Sequence, residues 1–146
     1  MKKVPTMKNA RGFTLLEVMV VLAIIGGIMA LVGANILGSA SEANIKTTKS
    51  QMKLIESALD MYKLDNFQYP TTEQGLEALI SKPSGSPEPK NYRSGGYLKG
   101  NNVPTDAWGN EFVYFREKAN SYEILSLGAD GVEGGEEDGA DISSND

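Results

Sequence analysis

The C-terminal end of this 146-residue sequence concentrates acidic side chains among glycines, in the segment LGADGVEGGEEDGADI. The acids are Asp130, Glu133, Glu136, Glu137, Asp138 and Asp141. Carboxylates and backbone carbonyls on a loop that can wrap suit a hard cation such as Ca²⁺, which takes roughly six to eight oxygen ligands. The spacing is not that of an EF-hand, so a solvated, mobile tail stays open as the other interpretation.

A further acid, Glu17, stands in an unusual place. It is the only charged residue in the 25 residues from Phe13 to Leu37. The helix dipole favours a carboxylate in the first turn of a helix, but inside a membrane such a group needs a cationic partner or it neutralises. If the chain were cut between Gly12 and Phe13, the new amino group would lie one helical turn from Glu17. That amine, or the amine of a neighbouring copy, is the predicted partner.

The composition restricts other chemistry. The sequence has no cysteine and no histidine, which excludes disulfides, Cys/His zinc sites, thiol nucleophiles and Ser-His-Asp triads. A hydrolase using paired carboxylates such as Asp60 and Asp65 stays as an alternative, without an accompanying pocket motif. The net charge is −5, and four of the 14 basic residues precede Gly12, so the rest of the chain offers no basic face to phosphates. We therefore expect neither an enzyme nor a nucleic-acid-binding protein.

The apolar run that contains Glu17 is long enough to cross a membrane. From Phe13 to Leu37 a helix would measure about 37 Å, against a hydrocarbon layer of about 30 Å. The basic residues before it predict a cytoplasmic N-terminus. A secretory signal peptide, cut near GANILGSASEAN, and a plain signal anchor are the alternatives, and the anchor leaves Glu17 unexplained. The predicted segments are a basic leader (1–12), a membrane helix (13–37) and a globular domain (38–146).

The helix is predicted to continue into the globular domain. Residues that can face a core recur there at alternating steps of three and four: Ile45, Thr48, Met52, Ile55, Leu59 and Tyr62. This spacing is typical of an amphipathic helix packed on a core. We therefore predict one helix from Phe13 to Leu64, apolar all round in its first half and on one side in its second.

Shorter elements are predicted beyond this helix. Thr71 and Gln74 match a capping box, which predicts a second helix that Pro83 closes. Two runs rich in β-forming residues predict a hairpin of antiparallel strands. Those strands are Glu111–Phe115 and Ser121–Leu127, with a further short strand near Tyr97–Leu98. The predicted fold class is α+β, a helix packed on a small antiparallel sheet.

The start of the sequence carries a recognisable motif. RGFTLLEVMVVLAIIGG resembles the class III prepilin signal shared by type IV pilins and the pseudopilins of type II secretion. The resemblance implies cleavage by the prepilin peptidase between Gly12 and Phe13, methylation of the new N-terminal Phe13, and Glu17 as the carboxylate used in assembly. The family often has a proline where this chain has Ala34, so whether the helix unwinds there in a filament is open.

Most of the remaining sequence carries a second resemblance. ALDMYKLDNFQYPTTEQGLEALISKP, GYLK, WGNEF and SLGADG resemble the major pseudopilins of bacterial type II secretion, in the type IV pilin-like superfamily. This implies a long N-terminal helix whose C-terminal half packs on a small antiparallel β-sheet, followed by a calcium-binding C-terminal loop. The family usually has Asp-Pro-Trp-Gly where this chain has Asp106-Ala107-Trp108-Gly109, and Trp108 is expected to anchor the core.

The resemblance also implies which atoms would hold Ca²⁺. They are the backbone carbonyl of Leu127, the side chains of Asp130 and Asp141, and backbone oxygens around Val132 and Gly135. The family has a further acid just before its Asp-Ile pair, where this chain has Gly139 and Ala140. Asp138 is therefore predicted to replace it, with Glu136 or Glu137 as alternatives.

The functional expectation is a structural subunit. The chain would be an inner-membrane precursor with a periplasmic domain, and would then form a helical homopolymer, the pseudopilus, that helps export folded proteins. Implied partners are the prepilin peptidase, minor pseudopilins, the inner-membrane assembly platform, the outer-membrane secretin and secreted proteins. The alternatives are a type IV pilin for adhesion or motility, and a membrane-anchored calcium-binding module that never polymerises.

Overall fold

The computed structural model describes residues 12–146, apart from the side chains of 34–37. Most of the predicted leader therefore lies outside the described residues. One long helix, α1, spans Leu15–Asn66, and three strands form an antiparallel sheet in the order β1-β2-β3. The strands are β1 (Val113–Lys118), β2 (Ser121–Ser126) and β3 (Ile142–Ser143), with short 3-10 helices at Leu76–Leu79 and Glu137–Gly139. The α+β prediction with a long N-terminal helix is confirmed.

The described chain divides into two compact units, up to Ser39 and from Ala40 to Asp146. In the first, the helix is apolar and exposed; one 18-residue window of α1 has a mean hydropathy of 2.7, and none of that window is buried. By length and composition, this helix can cross a membrane.

The second unit has its own core. The predicted stripe on α1 is confirmed, because Thr48, Met52, Ile55, Leu59 and Tyr62 are all buried. The four residues from Met52 onward share one cluster with buried residues of the three strands, Tyr114, Ile124 and Ile142, and Ile45 packs against it while only partly buried. Every residue of this cluster lies between 45 and 142. The core is therefore formed entirely by residues of the unit that begins at Ala40.

The predicted second helix is wrong in type and length. Its capping box does form, since Thr71 N–H donates to Gln74 Oε1 at 3.0 Å and Gln74 N–H donates to Thr71 Oγ1 at 3.1 Å. The next residue, Gly75, has φ +61°, which is outside the α-helical region and ends propagation at once. The chain therefore forms only a turn and the four-residue 3-10 helix Leu76–Leu79 in this region.

The predicted strand near Tyr97–Leu98 does not form in the described structure. The amides of Tyr97 and Leu98 both donate to the carbonyl oxygen of Leu79, at 2.7 and 3.2 Å, so they close the end of the 3-10 helix. The third strand is instead Ile142–Ser143, where Leu125 pairs with Ser143. The two predicted strands exist with shifted bounds, and α1 ends two residues later than predicted.

Candidate functional site

The start of α1 combines a helix cap with the acid of the apolar run. The hydroxyl oxygen of Thr14 accepts a hydrogen bond from the Glu17 amide at 3.2 Å, and the Thr14 carbonyl accepts from the Val18 amide at 3.2 Å. Thr14 is therefore the N-cap residue, and Glu17 stands at the third helical position, where a carboxylate is favoured. Sequence reasoning missed Thr14, although the spacing Thr-x-x-Glu before an apolar run is a capping signal.

The residues on either side of the predicted cleavage point lie beside Glu17. Gly12, Phe13, Thr14 and Glu17 line one shallow depression. Phe13 is 84% exposed, and every large apolar side chain described between Leu15 and Val32 is exposed as well. Within residues 12–146, no cationic side chain forms an ion pair with Glu17. A polypeptide bond that is open to solvent and a carboxylate free to accept a partner are what processing and assembly would each require.

The acidic segment after β2 folds into a closed loop. The Leu127 carbonyl accepts from the Gly131 amide at 3.2 Å, and the Ala129 amide donates to the Asp138 carbonyl at 2.8 Å. The first of these bonds closes a local turn, and the second joins the two arms of the loop. The segment thus folds back on itself, while residues 129–138 stay exposed.

Two of the predicted ligands border the same glycine-rich turn. A Cβ atom built on Gly139 would lie 2.8 Å from Asp130 Oδ2, and one built on Gly135 would lie 3.1 Å from the same oxygen. Asp141 Oδ2 accepts a hydrogen bond from the Gly134 amide at 2.9 Å, whereas Asp141 Oδ1 is buried without a hydrogen-bond partner. A buried, unpaired carboxylate oxygen is costly. A cation beside it would remove that cost, so these residues fit Ca²⁺.

The other predicted ligands are less closely grouped. Asp138 Oδ1 accepts a hydrogen bond from the Ser41 hydroxyl of α1, which directs this carboxylate toward the helix. Val132 is 63% exposed, and its amide donates to Asp130 Oδ1 at 3.1 Å. Glu136 and Glu137 are exposed. In the described part of the chain, no three acidic side chains adopt an arrangement that would hold an ion by themselves, so a site here needs backbone oxygens as well.

A buried aspartate supports the loop, and sequence reasoning missed it. Asp106 is 5% exposed, and its Oδ1 accepts from the amides of Trp108 at 3.0 Å and Asn110 at 2.8 Å. Its Oδ2 accepts from the buried Ser126 hydroxyl at 2.7 Å. The first contacts are local and typical of an Asp turn, but the bond to β2 is not visible in the sequence.

The same turn connects α1 to the acidic loop. The Ala107 amide donates to the fully buried Thr48 hydroxyl oxygen at 3.1 Å, and the Asn110 side chain donates to the Gly128 carbonyl at 2.8 Å. Trp108 packs against the core but is only partly buried. Trp108 was expected to anchor the core. Asp106 and Trp108 share that role, and Asp106 is the more buried of the two.

Replacing Asp106 should destabilise the unit strongly. In Asp106→Ala, the Ser126 hydroxyl and two turn amides lose their acceptor, and we expect a loss of about 3 kcal/mol in the free energy of unfolding. Urea denaturation of residues 40–146 would measure it. Glu111→Ala, at a neighbouring exposed acid, is the control and should change stability by less than about 0.5 kcal/mol. A loss below about 1 kcal/mol for Asp106→Ala would contradict this account of the turn.

The two carboxylates considered for hydrolysis have separate structural partners. Asp60 Oδ1 accepts from the Tyr69 hydroxyl at 2.8 Å, and burial together with this bond raises the pKa of Tyr69 to about 12. Asp65 Oδ2 accepts from Arg93 Nε at 2.6 Å, and that hydrogen bond lowers the pKa of the Asp65 carboxyl. These contacts give each acid a role in joining segments of the unit.

Comparison with known sequences finds relatives over most of the chain. Residues 35–145 match the sequence profile of the family described as type II secretion system protein G. Residues 7–33 match the prokaryotic N-terminal methylation motif. The chain is 50% identical over 139 residues to a Vibrio cholerae protein named type II secretion system core protein G, covering 94% of this chain and 93% of that one. A Pseudomonas aeruginosa protein of the same name is 48% identical over 138 residues, covering 94% and 96%.

A solved structure shows the same fold. The crystal structure of the major pseudopilin from the type 2 secretion system of enterohaemorrhagic Escherichia coli matches with a TM-score of 0.65 and 42% sequence identity. The match covers 75% of this chain and 93% of that one. Together, the sequence matches extend over the N-terminal motif, the globular unit and the acidic loop alike.

Proposed function

The chain belongs to the family of type II secretion system protein G, and from that membership we propose that it is the major structural subunit of a secretion pseudopilus. In this role many copies form a helical filament that helps drive folded proteins across the outer membrane. The observation that carries the proposal is the helix of exposed apolar residues, with one acid in its first turn, joined to a unit that has its own core.

The physical argument starts from the exposed helix. All 14 of the large apolar side chains described between Phe13 and Val32 are exposed, a surface far larger than a lone soluble protein leaves in water. Lipid can cover this surface while the subunit waits in the membrane, and the same segments of other copies can cover it in a filament. Because lipid and protein are similarly apolar, moving from one to the other costs little, and polar contacts decide the direction.

Glu17 supplies such a polar contact. Its carboxylate is ready to accept a cation, and the amino group created at Phe13 by cleavage would be that cation. Pairing between the amine of one copy and the glutamate of another makes joining the filament favourable only for processed chains. The basic residues before Gly12 orient the precursor with its N-terminus in the cytoplasm and its globular unit in the periplasm.

The mature N-terminus tests this proposal. We expect intact-mass and peptide mass spectrometry of the protein from secreting cells to show a chain that begins at Phe13 with a methylated amine. In cells without prepilin peptidase, the same chain should keep its first twelve residues. If working filaments contained the uncut chain, the proposal would be wrong.

We further propose that the acidic loop holds Ca²⁺. The side chains of Asp130 and Asp141 would bind it together with backbone oxygens of the loop, for which Leu127, Val132 and Gly135 are the predicted positions. The support is the buried, unpaired Asp141 Oδ1 and the glycines at 135 and 139, which let the loop backbone come close to the Asp130 carboxylate. When bound, the ion neutralises carboxylates that would otherwise repel one another, and it fastens a loop that has no disulfide.

The proposed partners are those that a filament subunit needs. They are other copies of this chain, the prepilin peptidase, the minor pseudopilins, the inner-membrane platform, the secretin and the exported proteins. A type IV pilin for adhesion or motility is the second candidate in the same structural class. A membrane-anchored calcium module is the candidate from another class, and filament formation separates it from the first two.

A further inference from the structure

The end of α1 carries a concentration of exposed apolar side chains. Six large apolar residues are exposed in residues 40–146, and four of them fall between positions 54 and 67. We name these four the α1 strip: Leu54 is 52% exposed, Met61 42%, Leu64 75% and Phe67 81%. The first three are spaced by seven and three residues, which places them along one face of the helix. Such a grouping differs from single scattered apolar residues, which need no explanation.

The backbone of Phe67 is a second, independent observation. This residue directly follows α1, and its amide donates to the Lys63 carbonyl at 2.7 Å, as in a helix C-cap. Its φ is +63°, in the left-handed region where glycine or asparagine is usual at this position. A phenylalanine there is unfavourable for the backbone and, at this exposure, gains little from the core. Its ring is therefore held outward at the expense of stability.

The surroundings of the strip match the edge of a protein interface. Arg93 Nη1 lies 3.7 Å from Met61 Sδ, and the same guanidinium pairs with Asp65 and stacks 5.5 Å from the Tyr97 ring centre. Aromatic residues, methionine and arginine are enriched at interfaces, and charged pairs form the rim around an apolar centre. The α1 strip has this arrangement, with Phe67 and Leu64 as its most exposed members.

We propose that the α1 strip is the surface by which the globular unit of one copy packs against a second copy of this chain. The inference rests on the proposed filament. The strip and the apolar segment that copies would bury belong to one helix, α1, so a copy that packs along this helix is the expected occupant of the strip. Helical polymers use head-to-tail contacts, so the strip meets a different surface of the next copy.

The test separates folding from assembly at one residue. In the full chain, Phe67→Gly relieves the left-handed strain and removes the ring. We expect the melting temperature of residues 40–146 to stay equal or rise, while filament yield from secreting cells falls at least fivefold at an unchanged membrane level of subunit. Phe67→Tyr keeps the ring and should restore the yield, and Leu64→Ser should lower it. Wild-type filament yield from Phe67→Gly would overturn the proposal.

A photo-crosslinking benzophenone residue at position 67 identifies the occupant. We expect covalent dimers of this chain, recognised by mass spectrometry of the crosslinked peptides. Crosslinks only to another protein, or only to lipid, would overturn the proposal.

Glu17→Ala in the same cells distinguishes a failure of the strip proposal from a failure of the proposed filament mechanism. If Glu17→Ala stops assembly and Phe67→Gly does not, the strip proposal alone fails, whereas normal filaments from Glu17→Ala would refute the filament mechanism itself.

Discussion

Glu17→Ala should leave a folded, membrane-inserted subunit that forms almost no filament. The change removes the carboxylate that would pair with the amine of a neighbouring copy, so each joining step buries an unpaired charge. Breaking one partner of a buried ion pair costs about 3 kcal/mol, which corresponds to about a 100-fold weaker association at every step. Electron microscopy and the amount of subunit in sheared filament fractions would measure the loss, and cell fractionation would show that the subunit still reaches the membrane.

The matched control for this variant is Glu42→Ala, since Glu42 is an exposed acid on the same helix. It removes one negative charge from α1 and should leave the filament yield unchanged. Glu17→Gln separates charge from hydrogen bonding, and we expect it to resemble Glu17→Ala because an amide does not pair with an ammonium as a carboxylate does. The Thr14 cap bonds the backbone amide of residue 17 and not the side chain, so helix initiation survives in both variants.

The parts of the fold that the sequence predicted are those encoded by local spacing. The stripe from Thr48 to Tyr62 repeats with helical periodicity over several turns, so a long helix was the only regular element that would bury it. The hairpin of β1 and β2 likewise shows alternation next to a short connection. Both features are decided by neighbours in the chain, which is why their existence was predictable while their end residues shifted.

The errors arise where partners distant in the chain decide the structure. The Ala107 amide bonds Thr48, 59 positions away, and nothing in the local sequence marks Thr48 as an acceptor. Tyr97 and Leu98 read as a strand, but the Leu79 carbonyl takes their amides. The strand Ile142–Ser143 has two residues and exists because β2 offers an edge for pairing, so it shows no alternation of its own.

The loop was predictable in composition and only partly in geometry. Its acids and glycines predict a cation site, which stays a prediction, and the glycines at 135 and 139 let the loop backbone pack close to Asp130. The direction of each carboxylate depends on contacts outside the segment, however. Asp138, predicted as a replacement ligand, accepts a hydrogen bond from Ser41, and that helix residue lies 97 positions earlier. Its assignment as a calcium ligand stays a prediction.

Removing calcium should lower the melting temperature of residues 40–146 by about 10 °C. At a calcium concentration near 100 times the dissociation constant, binding to the folded state alone adds about 2.7 kcal/mol. For a unit of this size each kcal/mol shifts the midpoint by about 4 °C. Calorimetry in EGTA, then after adding excess Ca²⁺, measures the fall and its reversal. Equal midpoints in EGTA and in calcium would reject the site.

Variants of the loop then assign the ligands. Asp141→Ala should abolish the calcium-dependent rise, because it removes the buried oxygen that lacks a partner. Glu133→Ala, at an exposed acid of the same loop, is the control and should keep the full rise. Asp138→Ala distinguishes two roles of that residue. If calcium no longer raises the melting temperature, Asp138 is a ligand. If calcium raises it fully but the melting temperature in EGTA is lower than that of the wild type, Asp138 acts through its contact with Ser41. If the loop binds Ca²⁺ and Asp138 also contacts Ser41 of α1, calcium would stabilise the part of α1 where the globular unit begins.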